Sequence, residues 1–99
     1  MGLRSELQTV LETITSNVYF QPPASIQMAY PCIVYKRDDV DTKFADNSPY
    51  RHTKRYLVTV IDRNPDSALV DPVLQLPLCT YSRAYAADNL NHDVFILYF

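Results

Sequence analysis

The side chains able to do chemistry are few and scattered along the chain. There are two histidines, His52 and His92, and two cysteines, Cys32 and Cys79. The densest acidic group is Asp38, Asp39, Asp41 and Asp46. A zinc protease helix would need HExxH spacing, and a structural zinc site needs paired Cys or His ligands a few positions apart. Neither pattern occurs, because the cysteines stand 47 positions apart with no CxxC. They read as free thiols packed as small apolar groups in a reducing compartment. Asp39-x-Asp41 has the start of a calcium-loop rhythm, but no glycine turn and no bidentate glutamate follow it. Ser5, Ser16, Ser25, Ser48, Ser67 and Ser82 all lack the flanking glycines of a nucleophile elbow. Asp62, Asp66 and Asp88 fall where turns and caps explain them. The expectation is a protein with no catalytic set, no metal and no cofactor.

Tyrosine carries more information. Eight tyrosines in 99 residues stand against no tryptophan. Several neighbour arginine or lysine, as in Tyr35-Lys36-Arg37, Arg55-Tyr56 and Tyr81-Ser82-Arg83-Ala84-Tyr85. Tyrosine and arginine are enriched where proteins meet, because a flat ring buries area while its hydroxyl stays satisfied. The same residues also serve as ordinary strand filler. Stacking on single-stranded nucleic acid is a third use, which the net charge of −2 opposes.

These residues need elements to hold them. The stretch 55–66, RYLVTVIDRNPD, organises the rest: alternation sets Tyr56, Val58 and Val60 against Leu57, Thr59 and Ile61. Both sets are largely apolar, so the strand should be packed on either side. The closing run 93–99, DVFILYF, behaves alike. Upstream, Leu3, Leu7, Val10, Leu11 and Ile14 recur at helical spacing and predict an amphipathic helix over residues 2–15. Residues 18–20 make a short extended piece, and residues 32–37 a strand. Residues 38–51 are polar and contain Pro49, which predicts a long loop or a loosely paired hairpin tip. Asp71 as N-cap with Pro72 at the first helical position predicts a short helix to Leu76, and residues 80–85 form a further strand. The fold class is α+β: an antiparallel sheet of four to five strands with an N-terminal helix and a short second helix packed on it.

Size and composition remove whole classes. Ninety-nine residues make a single domain, 1–99, with one modest core. The lone glycine, Gly2, excludes dinucleotide fingerprints and P-loops. No basic field attracts phosphate, and no apolar run is long enough to span a bilayer. With no pattern of a signal peptide, the expectation is a product made in the cytoplasm.

Certain stretches carry a resemblance. They are YPCIVY at 30–35, RYLVTVIDRNPDS at 55–67, Leu76-Pro77 followed by Cys79, and ADNLNH at 87–92 leading into the final strand. In this order, across nearly the whole chain, they resemble the tail-terminator (tail-completion, or minor head–tail joining) proteins of long-tailed bacteriophages. VTVIDRNPDS and ADNLNHDVF are the more specific parts, and neither is a catalytic motif. The resemblance implies a structural virion protein of the tail and neck. It would form a ring, commonly a hexamer, that caps the tail tube, ends its growth and offers the surface for head–tail joining. The implied partners are copies of itself, the tail-tube protein and a head-completion or adaptor protein, with DNA only passing through the lumen. On this reading Tyr56, Tyr81, Arg83, Tyr85, Phe95, Leu97 and Phe99 are candidates for the ring or tube interface. Asp38, Asp39, Asp41 and Asp46 are candidates for a lumen-facing loop, where like charge keeps DNA from sticking. Another neck component, a head-closure or adaptor protein, is the nearest alternative; a small metal-dependent hydrolase or nuclease is the more distant one.

Overall fold

A computed structural model describes residues 4–23, 25–45 and 48–99; over 39–45 and 48–53 it describes the backbone alone. The chain folds in the order α1 (Arg4–Glu12), β1 (Val18–Phe20), β2 (Cys32–Ala45), β3 (Ser48–Asp62), α2 (Val70–Leu74), β4 (Cys79–Ala87) and β5 (Leu90–Tyr98). The strands make one sheet in the order β1-β2-β3-β5-β4. The architecture is α+β, as the sequence predicts, with one difference: the sheet is mixed, because β1 pairs parallel to β2. The other three ladders are antiparallel. A parallel pair cannot be closed by a tight turn, so a longer connection joins the end of β1 to the start of β2. Asn17 and Gln21 tie that connection to β2: Ile33 N–H donates to the Asn17 carbonyl and Gln21 N–H to the Tyr35 carbonyl.

Period-two alternation in the three central strands creates two unlike faces. Ile33, Tyr35, Tyr56, Val58, Val60, Phe95 and Leu97 are all buried and share one cluster with Leu7 and Leu11 of α1 and Val73 of α2. Both helices therefore lie on the same face. Full burial of Leu7 and Leu11 contributes roughly 1.5–3 kcal/mol each and fixes α1 to the sheet. A polar clamp sets its position: Arg4 Nη1 donates to the Tyr35 hydroxyl at 3.2 Å, and that hydroxyl donates to Gln8 Oε1. The Arg4 guanidinium also lies 4.6 Å from the Phe20 ring centre. Burial, only partly offset by the Arg4 contact, raises the Tyr35 pKa.

The second helix starts earlier than its proline predicts. Its cap position is Leu69, with no side-chain cap, so Asp71 and Pro72 are inside the helix. Pro72 is tolerated because the first four N–H groups of any helix lack intrahelical partners. Ser67 does the local capping work, its hydroxyl accepting from Leu69 N–H at 3.3 Å. The β4–β5 turn places Asp88 at φ 54° and Asn89 at φ 61°. Two left-handed residues define a type I′ hairpin, and Asp and Asn tolerate that region best after glycine.

Residues 38–45 and 48–51, expected as a long loop or a loosely paired hairpin tip, take the second form: they continue β2 and open β3. The two strands pair from Cys32↔Ile61 out to Ala45↔Ser48, with irregularities at Arg37/Asp39 and Lys43/Phe44. The β5 ladder stops at Arg55↔Tyr98, with one further bond from Phe99 N–H to the Lys54 carbonyl; beyond Lys54, β2 and β3 pair with each other alone among the described residues. Fifteen residues at about 3.4 Å each span ~50 Å, which accounts for the 51 Å long axis against 25 and 23 Å for the others.

Candidate interaction surface

The face of the sheet opposite the helices is the surface that the fold leaves open. Three registers cross it. Cys32, Ile61, His92 and Tyr85 form the first row, and Val34, Thr59, Val94 and Arg83 the second. Lys36, Leu57, Ile96 and Thr80 form the third. Cys32, Ile61 and Val94 are buried, whereas Val34, Leu57, Thr59 and Ile96 are only half-buried. The middle of the face is thus aliphatic and incompletely covered, with no helix over it. Parts of the β1–β2 connection approach from the β1 edge. Tyr19, opposite Val34 in the parallel ladder, accepts the Ala29 N–H on its hydroxyl at 3.1 Å. Gln21 and Pro22 of that segment, with Val34, Leu57, Thr59 and Val94, line an open concavity of about 410 Å³.

Its rim is cationic. Lys36 on one side and Arg83 on the other both line the concavity, and both are exposed. Neither has a carboxylate partner among the described residues. Strands β3 and β5 lie between them, so three strand spacings, about 14 Å across the sheet, separate their strands. Arg83 sits 5.7 Å from the Tyr85 ring centre, and Tyr85 stacks on His92 at 4.5 Å with 10° between planes. Tyr85 thus has an imidazole on one face and a cation nearby, yet stays 46 % exposed. In the first row, burial, followed by the nearby Asp62 charge, pushes the Cys32 thiol up to about 11. A neutral, fully buried thiol is packing rather than a nucleophile.

The interface candidates divide sharply. Tyr56, Phe95 and Leu97 point into the helix-covered core, and Phe99 is partly buried against it. The apolar surface of Tyr56, Phe95 and Leu97 is used inside the chain, while Phe99 keeps part of its surface open. Tyr81, Arg83 and Tyr85 remain exposed on β4. Tyr81 leans on Phe95 edge-on at 5.3 Å and donates its hydroxyl to Asp93 Oδ1 at 2.8 Å. That hydrogen bond is the main reason its pKa is raised. Strand β4 is also an edge of the sheet, nine residues long and exposed throughout except at Cys79. Edges of that length invite pairing unless bulged, and the register shift between Tyr81 and Arg83 supplies a bulge.

Among the acidic candidates, Asp38 is ion-paired with Arg55 at 2.7 Å, and Arg55 also bonds Tyr98. Asp39 falls opposite Arg55 in the ladder. The side chains of Asp39 and Asp41, and all of Asp46, lie outside the described residues. So does the side chain of His52, while His92 is occupied by Tyr85 and lies 3.3 Å from the Leu90 carbonyl oxygen. Among the described residues no group of three or more His, Cys, Asp or Glu could hold a metal. No helix there is long and apolar enough to cross a membrane.

Two exposed residues escaped sequence reasoning. Leu74 of α2 is 39 % exposed and Leu78, just before β4, is 69 % exposed. Leu78 also holds φ at 58°, a conformation that costs a non-glycine residue of the order of 1–3 kcal/mol. A leucine between Pro77 and a strand gives no sequence signal of either property. No protein-family model matches the chain, and no curated protein matches it in sequence.

Proposed function

We propose that the chain is a structural virion protein that works as a ring of copies at the end of a phage tail tube, terminating tube growth and receiving the head. The family part of this reading rests on the resemblance of residues 30–35, 55–67 and 87–92 to tail terminators. Its physical support is the half-buried row Val34, Leu57, Thr59 and Ile96 on a sheet face without a helix. A lone domain gains by covering such a surface, at about 1 kcal/mol for each half-exposed aliphatic side chain brought out of water. A ring of neighbours, the tube and a head-completion protein would do so, with DNA passing through the lumen.

The test is electron microscopy of the purified protein with preformed tail tubes. The expected image is a ring of density at one end of each tube, and tubes assembled in its presence stop at uniform length. Tubes that remain bare and grow without limit overturn the reading.

A further inference from the structure

The open sheet face is shaped as a groove. Gln21 and Pro22 wall it on the β1 side, and Arg83 and Tyr85 wall it on the β4 side. Between them Val34, Leu57, Thr59 and Val94 make an aliphatic floor. Past Ile96 the apolar strip runs on to Leu78, which is 69 % exposed and stands opposite Tyr98, accepting its N–H at 3.1 Å. From the row of His92 to that of Tyr98 the floor extends by six residues, about 20 Å. We propose that this groove binds an amphipathic α-helix of a different protein, with aliphatic side chains on the floor and carboxylates on both flanks reaching Lys36 and Arg83. The inference goes beyond the ring reading and does not rest on it, because one copy of the chain holds the whole groove.

Backbone chemistry selects a helix. A strand joins a sheet at its edge, where N–H and C=O groups are free, whereas a sheet face offers side chains alone. An extended segment laid on the floor would bury its own backbone groups unpaired; a helix arrives with them satisfied. The dimensions agree. A helix with its side chains is about 10–12 Å across, and Lys36 and Arg83 stand on strands about 14 Å apart. Carboxylates on the two flanks of one helix therefore reach both. Charge sets the sign, since both cations are exposed and have no carboxylate partner among the described residues. Asp38 and Asp62, towards the two ends of the face, are engaged by Arg55 and by the Asn64 N–H. Among the described residues a second copy does not supply the helix. The apolar stripe of α1 is spent on its own core through Leu7 and Leu11, and α2 has only five residues and buries Val73. The aliphatic floor favours aliphatic side chains over the stacked bases of a nucleic acid.

The probe is a fluorescent peptide of roughly 14 residues, the helix length that spans the floor. Leucines at i, i+3, i+4 and i+7 form one face, glutamates line both flanks, and a side-chain staple on the outer face holds it helical. A counterpart carries lysine in place of every glutamate. Anisotropy titrations against the full chain at low salt should show the glutamate peptide binding and the lysine peptide binding at least ~10-fold more weakly. In Lys36→Glu/Arg83→Glu, whose folding a melting curve verifies, the preference should invert, the glutamate peptide losing ~30-fold. The single variants should each lose about 5-fold and serve in its place if the double one is unfolded. Amide shifts on binding should centre on Val34, Leu57, Thr59 and Val94. No binding of the glutamate peptide overturns the proposal, as does equal affinity for both peptides, an unchanged preference in the variants, or shifts centred on the helix-covered face. A thymidine single strand of equal length that binds more tightly than the peptide overturns it in favour of nucleic acid. Tube capping is scored separately: rings without peptide affinity remove this inference alone, and peptide affinity without rings removes the ring reading alone.

Discussion

Replacing Tyr56 by phenylalanine should make the protein more stable. The Tyr56 side chain is fully buried in β3, 6.0 Å from the Tyr35 ring centre, with the Arg37 guanidinium 6.0 Å from its own. Its hydroxyl is buried and has no hydrogen-bond partner among the described residues. A buried polar group left unsatisfied costs about 1–3 kcal/mol. Removing the oxygen leaves a void of roughly 12 Å³, which at ~24 cal/mol per Å³ costs only ~0.3 kcal/mol. The net expectation is a gain of about 1–2 kcal/mol, or ~5–10 °C in Tm for a domain of this length. Urea unfolding at fixed protein concentration reads it as a higher midpoint at unchanged slope. Assembly should be unaffected, because Tyr56 faces the helices rather than a neighbour. A Tm at or below that of wild type would refute the reasoning, since it would mean the hydroxyl is held by a partner.

The remaining predictions concern the core and its thiol. Leu97→Ala, at a site 1 % exposed, should cost about 2–5 kcal/mol and lower the Tm measured by calorimetry; a loss of assembly with normal melting would place Leu97 at an interface instead. Tyr35→Phe removes the acceptor of Arg4 and the donor to Gln8, and should cost about 1–2 kcal/mol with faster amide exchange in α1; unchanged exchange would show that the clamp does not hold the helix. The folded Cys32 pKa is raised from 9.0 to about 11, so the unfolded chain loses that proton first. Stability should therefore be flat below about pH 8.5 and fall through the interval from 9 to 11, by ~2–3 kcal/mol in all. Cys32→Ala should flatten that decline, and a wild-type profile without the decline would contradict the burial argument.

Most of the sheet was legible because apolar periodicity reports burial. The division of β3 into Tyr56, Val58 and Val60 against Leu57, Thr59 and Ile61 emerges as two faces of different fate. Leu7 and Leu11 lock the first helix as their spacing predicts. The pattern was silent where no core lies beneath the chain. The outer halves of β2 and β3 pair only with each other, so their polar residues carry no alternation and left a long loop and a loosely paired hairpin tip undivided. The parallel partner of β1 was equally hidden, since three residues of VYF fit either direction. Alternation also cannot say which of two apolar faces the helices take. That choice put Tyr56, Phe95 and Leu97 inside the chain and left Val34, Leu57 and Ile96 outside. The protrusion of Leu78 depends on a backbone angle that no composition rule encodes.

The uncovered sheet face is central, and its fate in the assembled particle tests it most directly. Electron cryo-microscopy of the protein seated on a tail-tube end should show Val34, Leu57, Thr59 and Ile96 of each copy buried against another protein surface. A reconstruction in which that face of every copy looks into solvent would contradict the account.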